Sequence, residues 1–267
     1  MLLHHQIFAP EAAVVADHRP LIIVPGLFGS IANWRGMASA LASHYEVVVV
    51  DQRNHGRSPH ADSQSFDDMV SDLSALIDHH GWSSVLLAGH SLGGKVAMQF
   101  ALRYPEQVDK LLVLDIAPVR YTHSHAPFLQ HLMALDLSSL SSRAEADRAL
   151  QAVIEDAGTR LFLLQSLAGS LGSYYWRLNL SVLYQYMNEM MDFPPPGAST
   201  NYQGPALFIS GELSDYVRPE HRQLILRLFP HAKFNSIADA GHWLHAEQPE
   251  AVLAVMRSFL NHQDGEF

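Results

Sequence analysis

Val85-Leu86-Leu87-Ala88-Gly89-His90-Ser91-Leu92-Gly93-Gly94 reads as a buried strand that runs straight into Gly-x-Ser-x-Gly and then into a helix. A serine placed on so tight a strand-to-helix bend is held in a strained backbone conformation that pushes its hydroxyl outward. The flanking glycines, Gly89 and Gly93, remove the side chains that would clash there. The helix that follows aims its first N–H groups at any negative charge developing beside the serine. The five-residue pattern alone is common; the strand before it and the helix after it make it specific.

Outward from this bend the same rhythm repeats. Leu21–Val24, Tyr45–Asp51 and Lys110–Asp115 are short runs dense in Val, Leu and Ile. They are continuously apolar rather than alternating, as strands of a parallel sheet covered on both faces must be. Between them, Ser65 and Asp68 form a helix N-cap ahead of Met69, Leu73, Leu76 and Ile77 at helical spacing, and a second helix over Leu92–Tyr104 stops before Pro105. Strand–helix–strand alternation implies right-handed crossovers and an α/β, doubly wound, mostly parallel sheet.

From Ile116 to Gly204 strand-like runs vanish and helix formers dominate, as in Arg143–Asp156 and Arg160–Leu171, until Phe193-Pro194-Pro195-Pro196-Gly197 breaks the chain. The alternation then resumes with a strand at Ala206–Ser210, a helix at Pro219–Phe229, a strand at Lys233–Ile237 and a last helix at Pro249–Leu260. The expected organisation is one core, residues 1–115 and 205–267, interrupted by a helical cap over 116–204. Tyr174, Tyr175, Trp176, Tyr184, Tyr186, Met187, Met190 and Met191 make that insertion aromatic and Met-rich. Most of them should pack the cap onto the core, and some should line an apolar cleft.

A serine hydroxyl is inert at neutral pH without a general base, and the base is expected late in the chain. Among 17 histidines, His242 in Ala240-Gly241-His242-Trp243 is placed where a loop returns over the carboxyl edge of the sheet. His245 reads as a packing residue. His123 and His125 lack the carboxylate partners or the HExxH spacing of a metal site. Two carboxylates could orient the imidazole: Asp115, ending its strand, and Asp215, just after Ala206–Ser210. Both stand at carboxyl ends of strands, where open α/β sheets place ligands, and the order Ser…Asp…His holds for either. Donors for an oxyanion are expected from the N–H of Leu92 and from Leu27 or Phe28 in the Gly26–Gly29 loop.

Composition narrows the classes of function. There are 17 Lys+Arg against 27 Asp+Glu, for a net charge of −10, so a basic stripe for nucleic acid or an anionic membrane is not expected. Zero Cys removes disulfides, thiolate metal sites and cysteine nucleophiles. The opening MLLHHQIFAP does not read as a secretory signal, and no apolar run approaches the ~18–20 residues of a membrane span, so a cytoplasmic location is the default expectation. Oligomeric state stays open.

Five segments together resemble the α/β-hydrolase superfamily, and within it the branch of YbfF-type esterases and their mitochondrial relatives. They are Gly26-Leu27-Phe28-Gly29-Ser30, Asp51-Gln52-Arg53-Asn54-His55-Gly56-Arg57-Ser58, Gly89-His90-Ser91-Leu92-Gly93-Gly94-Lys95, Asp115-Ile116-Ala117-Pro118-Val119 and Gly241-His242-Trp243-Leu244-His245-Ala246-Glu247. The resemblance implies an ester- or thioester-cleaving enzyme with a helical cap, no metal and no organic cofactor. It implies Asp115 as the third triad member, whereas the wider superfamily uses the position of Asp215. The chain departs from the family in carrying Pro25-Gly26 where the oxyanion loop usually begins His-Gly. Arg53, Asn54 and His55 are expected to fix a loop rather than touch substrate.

The resulting expectation is a serine carboxylesterase acting on short-to-medium acyl esters, with thioesters within the same chemistry, through Ser91, His242 and Asp115. Another reaction of the same serine (carbon–carbon bond hydrolysis, a perhydrolase, a lyase) is the alternative, since fold alone does not choose. A non-catalytic binding module would more readily have lost one of the three residues.

Overall fold

The computed structural model describes residues 1–9, 19–195 and 200–261; Pro196 and Gly197 of the proline run lie outside the described residues. The strands are β1 (His5–Phe8), β2 (Leu21–Val24), β3 (Val47–Val50), β4 (Val85–His90), β5 (Val108–Leu114), β6 (Leu167–Ala168), β7 (Tyr175–Trp176), β8 (Ala206–Gly211) and β9 (Ala232–Ile237). Seven form one sheet in the order β1-β3-β2-β4-β5-β8-β9, and β6 pairs with β7 apart from it. Within the large sheet only β1 runs antiparallel to its neighbour.

The helices are α1 (Ile31–Leu41), α2 (Phe66–His80), α3 (Leu92–Arg103), α4 (Ala126–Ala134), α5 (Arg143–Gln151), α6 (Ala157–Leu164), α7 (Leu180–Gln185), α8 (Met187–Met191), α9 (Arg222–Leu228), α10 (Leu244–Glu247) and α11 (Pro249–Asn261). Side chains alternate across each strand and so feed two separate cores. Ile22, Val24, Val48, Val50, Leu87 and Val113 face α2, α3 and α9. Leu21, Ile23, Val47, Val49, Leu86 and Leu112 face α1 and α11. That is why these strands read as unbroken apolar runs. No helix among the described residues is long and apolar enough to cross a membrane.

Several elements depart from the sequence expectations. β1 was not foreseen, because a half-exposed edge strand carries no continuous apolar run. Helix α1 was not foreseen either. The strand expected over Tyr45–Asp51 is trimmed to Val47–Val50, and just beyond it the Asp51 carboxylate accepts the N–H groups of Ile31 and Arg57, both at 2.8 Å. In the insertion, α6 begins at Ala157, earlier than Arg160, because Asp156 caps it through the Thr159 N–H at 2.6 Å. The helix also ends earlier, and Leu167–Ala168 pairs with Tyr175–Trp176 around Gly169, whose φ of +91° suits a glycine.

Hydrogen bonds tie the segment between β5 and β8 to the rest of the chain, two sets of them buried or half-buried. Asn179 donates from its backbone N–H to the Asn54 carbonyl at 3.0 Å and from Nδ2 to Asn54 Oδ1 at 3.1 Å. At its far end, buried Lys95 and Gln99 of α3 donate to the carbonyls of Met191 (2.9 Å), Asp192 (2.7 Å) and Pro194 (2.8 Å). The Asp51–Ser58 loop is itself locked: Arg53 makes a two-pronged contact with Asp72 at 2.6 and 2.9 Å, and Asn54 donates to Gln64 at 2.9 Å.

Candidate active site

Ser91 bridges β4 and α3 with φ 52° and ψ −122°. A left-handed φ costs a non-glycine residue about 1–3 kcal/mol and persists only where the surroundings over-determine it. Here they do. A Cβ on Gly93 would lie 2.1 Å from the Val24 carbonyl oxygen, and one on Gly89 would lie 2.3 Å from that of Gly93. The Ser91 N–H is also tied to the Leu114 carbonyl at 3.0 Å.

The loop after β9 returns His242 over this bend. Its Nε2 lies 3.0 Å from Ser91 Oγ, and its Nδ1 lies 2.7 Å from Asp115 Oδ2. With Nδ1–H donating to the carboxylate, Nε2 is left to accept the serine hydroxyl. Asp115 follows β5, is fully buried and has φ 50°, a turn that swings its carboxylate out of the strand toward the histidine. It accepts two further hydrogen bonds, from the Ser214 hydroxyl at 2.5 Å and the Gly211 N–H at 3.1 Å. The ring of Tyr216 stacks on His242 with centroids 3.9 Å apart and planes at 17°. His90, adjacent to the serine, lies with Nε2 2.8 Å from the His242 carbonyl.

Burial sets the protonation of this group. It pushes His242 down to about 3, assisted by the nearby His123, so the imidazole stands neutral, with Nε2 placed against the serine hydroxyl. Burial pushes the Asp115 carboxyl up to about 7, and the donors Ser214 and Gly211 work against that rise.

Asp215 is not brought to the imidazole. It is exposed, and it lines a separate polar cavity of about 300 Å³ with Arg218 and Ser236. The loop with the expected oxyanion donors does approach the serine. Gly29 N–H closes on the Gly26 carbonyl at 3.0 Å, and Gln52 Nε2 holds the Pro25 carbonyl at 2.7 Å, so the loop is pinned although it begins with Pro25. Leu27 and Phe28 line a cavity of about 200 Å³ with Ser91 and His242, and Leu27 and Leu92 line a smaller one of about 20 Å³ with Ser91. Of the aromatic and Met-rich residues of the insertion, Met190 and Met191 reach that smaller cavity, while Tyr175 and Tyr184 are exposed.

His123 and His125 converge on the Tyr216 hydroxyl at 2.8 and 3.4 Å, and no group of three metal-ligating side chains occurs among the described residues. His245 stacks on Trp34, centroids 4.3 Å apart. Ser214, Tyr216 and His90 escaped sequence reasoning. Ser214 and Tyr216 flank the Asp215 that drew attention, and His90 occupied a variable position of the serine pattern.

Comparison with known proteins places the chain in a family. The pattern of the alpha/beta hydrolase fold matches residues 19–249. The chain is 39% identical to mouse sn-1-specific diacylglycerol lipase ABHD11, over 90% of this chain and 80% of that protein. It is 34% identical to Escherichia coli esterase YbfF, over 92% and 94%. A marine microorganism esterase of known structure superposes with a TM-score of 0.90 at 37% identity, covering 97% of this chain and 99% of that one.

Proposed function

The chain belongs to the alpha/beta hydrolase fold family, in the branch of the YbfF-type esterases, and from that premise we propose that Ser91, His242 and Asp115 make it a serine carboxylesterase for short-to-medium acyl esters. It is an ester-hydrolysing enzyme; the residue roles are our assignment. The observation that carries them is the continuous line of hydrogen bonds from the strained Ser91 through His242 to Asp115, at 3.0 and 2.7 Å.

In this mechanism Ser91 Oγ attacks the acyl carbonyl while His242 Nε2 takes the hydroxyl proton. The tetrahedral oxyanion is held by the N–H of Leu92 and of Leu27 or Phe28, as donors aimed at developing charge require. His242 then delivers the proton to the leaving oxygen. A water enters by the same route and releases the acid. Asp115 keeps the imidazole in the working tautomer, and Ser214 and Gly211 hold Asp115 in turn. Residues 116–204 act as a cap whose α6 and α8 close the apolar cavities over the serine. Acyl thioesters present the same carbonyl to the same groups.

The test is hydrolysis of a 4-nitrophenyl acyl series and of acyl-CoA thioesters, with fluorophosphonate labelling. Wild-type protein should turn over esters and label at Ser91. Ser91→Ala should lose both, and wild-type turnover in that variant would end the assignment.

A further inference from the structure

Ser91 stands where two compartments of unequal size meet. The larger, about 200 Å³, is lined by Phe28, Phe128, Phe162, Leu163, Trp243 and His242 itself. The smaller, about 20 Å³, is lined by Leu92, Ile116, Tyr121, Met190 and Met191, and His242 takes no part in it. Proton transfer decides which part of an ester each compartment receives. When the alcohol oxygen leaves, its bond to the acyl carbon breaks and it takes the proton held on His242 Nε2. The alcohol must therefore lie on the side that the imidazole lines. The acyl carbon, bonded to Ser91 Oγ, then turns its chain the other way, beside the Leu92 N–H and into the smaller space.

We infer that this enzyme selects esters of short acids, acetyl or propionyl, carried on bulky apolar alcohols. The inference rests on the serine esterase reading above and narrows it. The backbone behind the small compartment is held in place. Met190 and Met191 are buried, and the backbone under them is gripped by Lys95 Nζ, which donates to the carbonyls of Met190 (3.3 Å), Met191 (2.9 Å) and Asp192 (2.7 Å). The Tyr121 N–H holds the Met191 carbonyl at 2.9 Å, and the Tyr121 hydroxyl donates to the Tyr216 carbonyl at 2.7 Å. A longer chain has to displace this packed wall, and a single surplus methylene in a tight apolar site is worth roughly tenfold or more in kcat/KM. The larger compartment offers aromatic faces on the leaving-group side.

Two ester series test this. With 4-nitrophenol as the constant leaving group, kcat/KM should peak at acetate or propionate and fall at least about tenfold by hexanoate. With acetate as the constant acid, KM should fall from ethyl through benzyl to naphthylmethyl esters. Met190→Ala should raise the hexanoate-to-acetate ratio at least about tenfold, with Met191→Ala as the second variant should the first not fold. Phe162→Ala should raise KM for naphthylmethyl acetate and leave the acyl ratio alone. Hexanoate or octanoate cleaved as well as acetate by the unaltered protein would overturn the inference and leave the esterase reading standing. So would a folded Met190→Ala or Met191→Ala with an unmoved ratio. No ester cleaved and no fluorophosphonate label on Ser91 would instead sink the esterase reading, and this inference with it.

Discussion

His90 and His242 are joined by a hydrogen bond across 152 positions of sequence, the ring Nε2 of one lying 2.8 Å from the backbone carbonyl of the other. A carbonyl accepts only, so Nε2 carries the proton and donates it. Burial drives His90 down to about 3, which keeps it neutral. Because His90 immediately precedes Ser91, this bond ties the loop of the base directly to the bend of the nucleophile. The ring of His245 braces His90 edge-on with centroids 4.7 Å apart, and itself stacks on Trp34. His90 is therefore a positioning residue. His90→Ala should lower kcat on 4-nitrophenyl acetate on the order of 10²-fold, the usual penalty for a misplacement of about 1 Å, with KM little changed. His90→Gln, which can still donate to the carbonyl, should recover part of the loss. A purely structural role would lower melting temperature in both variants and leave kcat per folded molecule intact.

The acid of the triad is open to a direct comparison. Asp115 Oδ2 meets His242 Nδ1 at 2.7 Å, while Asp215 is exposed and lines a different cavity. Asp115→Asn should cost on the order of 10⁴-fold in kcat, because an amide stabilises the wrong imidazole tautomer. Asp215→Asn, an exposed change away from the imidazole, should keep activity within about twofold. Steady-state rates of the two purified variants, with circular dichroism to establish folding, decide between them. Equal and mild losses would leave the imidazole without an assigned partner.

What could be read in advance follows from burial and from backbone geometry. The strands at Leu21–Val24 and Val85–His90 are legible because both of their faces are covered, so every position is apolar. His5–Phe8 is half-buried at the sheet edge, and its pairing with Val47–Val50 is a long-range event that no local pattern announces. Ser91 and His242 are legible because the elbow demands glycines around the serine and the base must come from a late loop. Asp115 and Asp215 are indistinguishable on that basis, since both lie in the chain shortly after a strand. What separates them is the φ of +50° at Asp115 and the return of Ser214 onto its carboxylate, which are properties of the folded loops. Tyr216 stacks on the imidazole from a loop with no periodicity to betray it.

Acid should destabilise the protein steeply. Among the described residues burial lowers His90 and His242 to about 3, His55 and His125 to about 4, and His245 well below the ordinary value of 6.5, and it lowers His80 and His123 as well. Below pH 6.5 the unfolded chain binds protons at these positions that the folded chain refuses. The stability they contribute is therefore complete above that pH and is lost as pH falls toward the folded values. Each can cost up to about 1.4 kcal/mol per pH unit. Asp115, whose carboxyl is raised to about 7, works in the opposite direction: its contribution is present below its ordinary value of 3.8 and is lost as pH rises through 7. A single carboxyl against this set leaves the histidines dominant. Urea midpoints measured from pH 7 down to pH 5 should drop by several kcal/mol equivalent, and a flat profile would mean that these rings accept protons in place.

Two glycines should respond to alanine with opposite signs. At Gly93 a Cβ would sit 2.1 Å from the Val24 carbonyl oxygen and 2.4 Å from that of Pro25, both rigid backbone atoms at the carboxyl end of β2. Neither atom can withdraw without disturbing β2 and the loop that carries Leu27. Gly93→Ala should therefore cost about 3 kcal/mol or more and displace the serine from His242. Gly36 lies exposed within α1 with no atom within 4 Å of an added Cβ. Gly36→Ala should stabilise by about 0.5–1 kcal/mol, because alanine gives up less backbone entropy in a helix. Urea titrations of both variants, read beside 4-nitrophenyl acetate turnover, check the pair. A Gly93→Ala protein of native stability would mean that the bend at Ser91 does not depend on the close approach of α3 to β2.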